Sequence, residues 1–194
     1  NYNLLVDTSD NPNESINYVL TVKNGGKVKL SGTGTGKLNV KSSSNCHNYG
    51  IQVLDANSEV TVDNIDATGE SAIGVYMYGS GLSLDGGTIT VNGHLNAGSM
   101  GVKVNAKNGT VVINGDITAG HTGVQTATNP GTSVTVNGNI TVLGTTSQNL
   151  EGAGILASGK TTVNVAGNVT GQGANYIGVY ALGGTITVGG NVVS

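Results

Sequence analysis

The sequence predicts an all-β protein, a parallel β-solenoid of about eight coils, each with roughly 22–31 residues and three short strands. Three observations carry that prediction. First, a glycine–aliphatic dipeptide returns as Gly50-Ile51, Gly74-Val75, Gly101-Val102, Gly123-Val124, Gly154-Ile155 and Gly178-Val179, at steps of 24, 27, 22, 31 and 24 residues. Second, an alternating run, a turn and an aliphatic residue recur from Thr88, Thr110, Ser133, Thr162 and Thr185. Their turn glycines (Gly93, Gly115, Gly138, Gly167 and Gly190) step by 22, 23, 29 and 23. A period in this range marks a repeat architecture, in which each unit buries its apolar face against its neighbours. Third, the 194 residues include 33 Gly and seven Tyr but no Phe or Trp. Without the large aromatics that usually fill a globular core, the interior must be aliphatic and narrow, which thin stacked coils allow. A helical solenoid is excluded, because nothing repeats at 3.6 and the Gly and β-branched content opposes helix.

Taken in order, residues 1–22 contain a Pro and two strand-like runs, Leu4 to Val6 and Tyr18 to Val22. Val28 and Leu30, then Leu38 and Val40, read as degenerate strands. Residues 1–45 are therefore expected to be an N-terminal cap or degenerate coils, and 46–194 the regular repeat. An open solenoid end is a sheet edge that needs covering, which favours the cap. The sharper alternative is a strand-exchange segment, with Leu4, Leu5, Val6, Tyr18, Val19 and Leu20 as candidate assembly residues. In the regular part, period-two alternation puts Val60/Val62, Ile89/Val91, Val111/Ile113, Val134/Val136, Val163/Val165 and Ile186/Val188 inward. After the turn, Ile65, Leu95, Ile117, Ile140, Val169 and Val192 form a second inward column, and the aliphatics after glycine form a third. Asn137-Gly138 reads as a turn in which both residues tolerate φ > 0. Longer corners are expected near Gly79–Gly86 and Leu143–Leu150.

Few residues suggest chemistry. Cys46 and His47 are adjacent, so on a strand they point to opposite faces and make no nucleophile–base pair. His94 aligns with Asp116, Asn139, Asn168 and Asn191, which places His94 within reach of Asp116. Two such residues do not make a structural metal site. Asp63, Asp66 and Asp85 are scattered over consecutive coils and lack both a calcium-repeat pattern and the spacing of a paired-carboxylate site. On the outward face of the first strands, Thr61, Thr88, Thr90, Thr135, Thr185 and Thr187 approach a Thr-x-Thr array, interrupted by Glu59, Val112 and Asn164. It resembles the ice-binding face of β-solenoid antifreeze proteins. Tyr76, Tyr78, Tyr176 and Tyr180 follow or flank the glycine strand. Exposed Tyr stacks on sugars, so these are the candidate face for a glycan or partner, with Tyr76 and Tyr180 four coils apart.

The chain has eight Lys, no Arg and eleven acids, for a net charge of −3. Without Arg, the bidentate fork that usually recognises phosphate, no nucleic-acid partner is expected. Lys23, Lys27, Lys29, Lys37 and Lys41 gather near the N-terminus and read as solvated gatekeepers. One Cys forms no internal disulfide, and no apolar run of about 20 residues would span a membrane. The first residue is not Met and the last lie partway into a repeat, so a segment of a longer secreted protein is expected.

The V-N-G-N-I-T and G-V-Y-A-L-G-G-T-I-T-V segments resemble the right-handed parallel β-helix passengers of bacterial autotransporters and related surface adhesins, over roughly Ser58 to Ser194. That resemblance implies a right-handed coil and a bacterial cell-surface or extracellular setting. Pectate-lyase-like enzymes share the fold, but their calcium-binding acids, basic residue and clustered Asp have no match here, so no catalytic residue carries over. The reading is a non-enzymatic structural or adhesive rod without cofactor, about 40 Å long at the sheet spacing. Its partners would be a host or community surface glycan or protein, or copies of itself end to end as filaments or a layer. A polysaccharide-binding or polysaccharide-cleaving β-helix is the alternative, and an ice-binding solenoid a further one.

Overall fold

The computed structural model describes residues 3–7, 16–31, 36–41, 47–79, 85–144, 152–172 and 176–194. The chain opens with β1 (Asn3–Asp7), β2 (Ile16–Val22) and β3 (Lys27–Leu30), then β4 (Lys37–Lys41), β5 (His47–Val53) and β6 (Glu59–Val62). The third coil continues with β7 (Asn64–Thr68), β8 (Ile73–Tyr78) and β9 (Thr88–Val91), and the fourth with β10 (Leu95–Ala97), β11 (Met100–Asn105) and β12 (Thr110–Ile113). Next come β13 (Ile117–Ala119), β14 (Thr122–Thr126) and β15 (Ser133–Val136), then β16 (Ile140–Val142), β17 (Gly152–Ser158) and β18 (Thr162–Val165). Last are β19 (Val169–Gly171), β20 (Tyr176–Leu182), β21 (Thr185–Val188) and β22 (Val192–Val193).

Every third strand pairs in parallel, giving three sheets. Sheet A runs β1-β4-β7-β10-β13-β16-β19-β22, sheet B β2-β5-β8-β11-β14-β17-β20 and sheet C β3-β6-β9-β12-β15-β18-β21. The chain thus makes seven complete coils and the first strand of an eighth, close to the expected eight. Residues before Ser58 already lie in the same sheets: β1 pairs with β4, β2 with β5 and β3 with β6. Among the described residues no helix is long and apolar enough to cross a membrane.

The three aliphatic columns stand in the register their spacing implies. Val60, Ile89, Val111, Val134, Val163 and Ile186 stack in sheet C. Ile65, Leu95, Ile117, Ile140, Val169 and Val192 stack in sheet A. Ile51, Val75, Val102, Val124, Ile155 and Val179 stack in sheet B. All are buried except at the C-terminal end, where Ile186 is half-buried and Val179 and Val192 are exposed.

Packing explains the recurrent glycine. A Cβ at Gly101 would lie 2.5 Å from Cγ2 of Ile117 in the following coil and 2.6 Å from the Gly123 carbonyl oxygen. The glycine leaves the space into which the next coil's sheet A aliphatic settles. Real cores do not yield to an overlap of that size.

The turns between sheets C and A correct a sequence expectation. Neither Asn137 nor Gly138 has positive φ; among the described residues, Asn24 and Asn108 are the non-glycines that do. The turn is instead set by an inter-coil ladder. Asn64 Oδ1 accepts from the His94 amide at 3.0 Å, Asp116 Oδ1 from that of Asn139 at 2.7 Å, Asn139 Oδ1 from Asn168 at 2.9 Å and Asn168 Oδ1 from Asn191 at 2.7 Å. Each side chain thereby satisfies a corner amide that the sheets leave unpaired. Glycine is required because the coils stack closely: a Cβ at Gly138 would sit 2.5 Å from the Gly115 carbonyl oxygen.

Candidate functional site

Sheet B concentrates the aromatic residues. Six of the seven tyrosines, Tyr18, Tyr49, Tyr76, Tyr78, Tyr176 and Tyr180, lie on its strands; Tyr2 is outside the described residues. Those strands carry no Asp or Glu, and Lys103 is their one lysine.

Four of the tyrosines form a continuous stack across three coils. Ring centroids are 5.0 Å apart for Tyr18 and Tyr49, 4.6 Å for Tyr49 and Tyr76, and 5.9 Å for Tyr76 and Tyr78, with interplanar angles of 17°, 26° and 24°. Tyr49, in the middle, is 8% exposed, whereas Tyr18 and Tyr78, at the ends, are 41% and 38% exposed. Burial, then the neighbouring Tyr49, Tyr18 and Tyr78, push the Tyr76 phenol up to about 12. Burial, then Tyr18, raises Tyr49 as well. The Lys103 ammonium stands 5.8 Å from the Tyr76 ring centroid, a cation–π distance. Among the described residues no carboxylate pairs with Lys103.

The structure therefore brings Tyr76 and Tyr78 together and adds Tyr18 and Tyr49. Tyr18 was expected in an assembly segment, and Tyr49 was not anticipated. A signal existed: Tyr18-Val19-Leu20 aligns with Tyr49-Gly50-Ile51, and β2 and β5 pair in that register. Tyr180 lies in the same outward column as Tyr76, separated from it by Lys103, Gln125 and Leu156. Tyr176 does not join this face. It packs against the core, its pKa is pushed up to about 12 by burial, and its hydroxyl is buried without a partner among the described residues.

The other candidates stay apart from this face. Thr88, Thr110, Ser133, Thr162 and Thr185 stack in one outward column of sheet C, and Thr61, Thr90, Val112, Thr135, Asn164 and Thr187 in the next. Glu59 breaks the first column and binds Lys27 at 2.7 Å. Leu4, Leu5 and Val6 pair with β4 through their backbone, and Val19 and Leu20 are half-buried against the core. Cys46 lies outside the described residues, as do parts of both longer corners.

His94 is placed otherwise than expected. Its Nε2 is 3.1 Å from Asp66 Oδ1 in the preceding coil, while Asp116 accepts from Asn139. Asp66 also accepts from Lys37 Nζ at 2.9 Å and Asn96 Nδ2 at 2.7 Å. Burial acts to raise the Asp66 pKa, but the bonds from Lys37, Asn96 and His94 outweigh it and hold the carboxyl below its usual range. Asp63 lies at the corner between β6 and β7, and Asp66 and Asp85 share one coil, that of β7, β8 and β9, instead of lying in consecutive coils. Asp66, engaged by Lys37, His94 and Asn96, ties neighbouring coils together. No group of three or more His, Cys, Asp or Glu that could hold a metal ion occurs among the described residues.

A family model described as the right handed beta helix region matches residues 26–193. No curated protein and no solved structure matches the chain.

Proposed function

The chain belongs to the right-handed β-helix family, and on that premise we propose that it is a non-enzymatic, extracellular adhesive rod of a bacterial surface protein. Sheet B is its contact face, and its partner is a glycan or protein of a host or community surface. The observation that supports this reading is the stack of Tyr18, Tyr49, Tyr76 and Tyr78 on one sheet whose strands carry no acid. Tyrosine offers large contact area with few rotors, and contact surfaces are enriched in Tyr and Met and depleted in Asp and Glu. Met100, half-buried, also lies on this sheet. Weak contacts repeated along a stiff rod add up when several rods share one anchor. The fold alone does not choose between adhesion and polysaccharide cleavage. The engaged state of Asp66 favours adhesion.

The test is adherence of the purified protein to immobilised glycans and to cell surfaces, with the doubly substituted Tyr76→Ser/Tyr78→Ser beside Thr88→Val/Thr110→Val. The tyrosine variant should lose adherence and the threonine variant keep it. The reverse would move the contact face to sheet C, and release of reducing sugar from the glycan would make the protein an enzyme.

A further inference from the structure

We infer that the Tyr78 end of the tyrosine stack is a seat for an anionic saccharide, a sugar ring carrying a carboxylate or sulfate, held by Tyr78, Lys103 and Asn105. This rests on the adhesive reading and adds to it a ligand class and a place.

The stack itself limits where a sugar can sit. Sugar C–H groups pack on the flat face of an aromatic ring. Along the stack those faces are already used: Tyr49 lies between Tyr18 and Tyr76 at 5.0 and 4.6 Å and is 8% exposed. Only the end rings keep an open face. Among the described residues Tyr78 has one ring neighbour, Tyr76, and it is 38% exposed. Tyr18 ends the stack on the other side, but the lysine of sheet B is at the Tyr78 end.

The chemistry at that end is specific. β11 runs beside β8, placing Lys103 in register with Tyr76 and Asn105 with Tyr78. Lys103 has a ring at 5.8 Å and no carboxylate partner among the described residues, on a sheet whose strands carry no acid. A sugar on Tyr78 would partly desolvate that ammonium. A neutral sugar leaves the cost uncompensated, whereas an anionic substituent offsets it with a charge-assisted bond. Asn105 accepts from Asn129 through Oδ1 at 2.8 Å, which keeps its Nδ2 as a donor for a ring hydroxyl or the anion. Adjacent strands lie about 4.8 Å apart, roughly one sugar ring, so one residue spans Tyr78 and Asn105.

The experiment is calorimetry of the full chain with three oligosaccharide probes of equal length, from hyaluronan (carboxylate), heparin (sulfate and carboxylate) and dextran (neutral). Tyrosine fluorescence gives a second readout, since the chain has no Trp. The anionic probes should bind at least tenfold more tightly than dextran, and added salt should weaken them. Lys103→Met should remove that preference, Lys103→Arg restore it, and Tyr78→Leu weaken all three probes. Lys23→Gln/Lys29→Gln, on the N-terminal coil, should change nothing, which separates this seat from general attraction to lysines. Binding of hyaluronan assigns the carboxylate, and binding of heparin alone the sulfate. Equal binding of dextran, or anionic binding that survives Lys103→Met, overturns the inference but leaves adhesion standing. Cell-surface adherence without binding of any probe does the same. Loss of both adherence and probe binding overturns the two together. Thermal unfolding of Lys103→Met should match the parent, because the side chain is on the surface.

Discussion

The first three coils and the last four solve the same stacking problem with different side chains. Before β9 the outer surface carries Lys23, Lys27, Lys29 and Lys37 and the carboxylates of Asp55, Glu59 and Asp66, together with the tyrosine stack. From residue 108 onward the only charged residues are Asp116, Glu151 and Lys160, and the outer columns of sheet C are mostly Thr, with Ser133, Val112 and Asn164. Stacking puts the same position of each coil about 4.8 Å from its neighbour, where like charges repel. A column can repeat a neutral residue indefinitely, whereas like charges in successive coils of one column repel and opposite charges attract. The N-terminal coils show that rule: Lys27 is in register with Glu59, and Lys37 reaches Asp66. The C-terminal coils avoid charge and tie their corners with the Asn ladder. This accounts for a chain only 10% charged.

Several changes should separate the two halves. The largest effect belongs to the aliphatic columns. Ile140→Ala, at a fully buried site in the regular half, should cost about 2–5 kcal/mol in urea unfolding followed by circular dichroism. A smaller loss would mean that the coils slide to refill the cavity. Next comes Tyr49→Leu, which removes the middle of the stack. With two ring pairs lost at about 0.5–1.5 kcal/mol each, it should cost about 1–3 kcal/mol. Hydrogen exchange should then rise in β2 and β5 and leave β15 to β19 unchanged.

Alkaline pH should loosen both halves, since burial pushes Tyr176 as well as Tyr76 up to about 12. The Tyr76 phenol is pushed up to about 12 by burial, while an unfolded tyrosine ionises at about 10. The stability it contributes is fully present below about pH 10 and is lost as pH rises toward about 12. Tyr76→Phe should flatten the stability profile over that window, and an unchanged profile would exclude Tyr76 as the source. Asn139→Ala, which removes one rung of the corner ladder, should cost about 1 kcal/mol and expose the Asn168 amide to exchange. The smallest effect is at Glu59. Its bond to Lys27 joins side chains 53% and 66% exposed, so Glu59→Gln should shift stability by less than about 0.5 kcal/mol. A larger loss would mean that charge pairing, more than the aromatic stack, holds the first coils.

The candidate face was half legible. Tyr76 and Tyr78 were readable because they follow the Gly74-Val75 dipeptide. Tyr18 and Tyr49 precede the aliphatic of their coils, and nothing local shows that their rings lean onto Tyr76. Tyr176 misled because its position at the start of a glycine strand looks equivalent. There its ring closes over Gly171, in space that a larger residue would fill. His94 misled for a related reason. Its backbone column runs to Asp116, but its side chain turns back across the stack to Asp66.

The sequence alone determined the coil, its three columns and which residues share a level, because strand alternation and a nearly constant spacing leave one register that buries every aliphatic. It also showed that glycine must recur, but not why. Only the tertiary structure decided that glycine makes room for the next coil's Ile117 or Ile140 instead of bending a turn. It also decided which rings stack and which acid the histidine meets. Those outcomes depend on the directions in which side chains lean between coils of unequal length, and that geometry exists only once the coils are stacked.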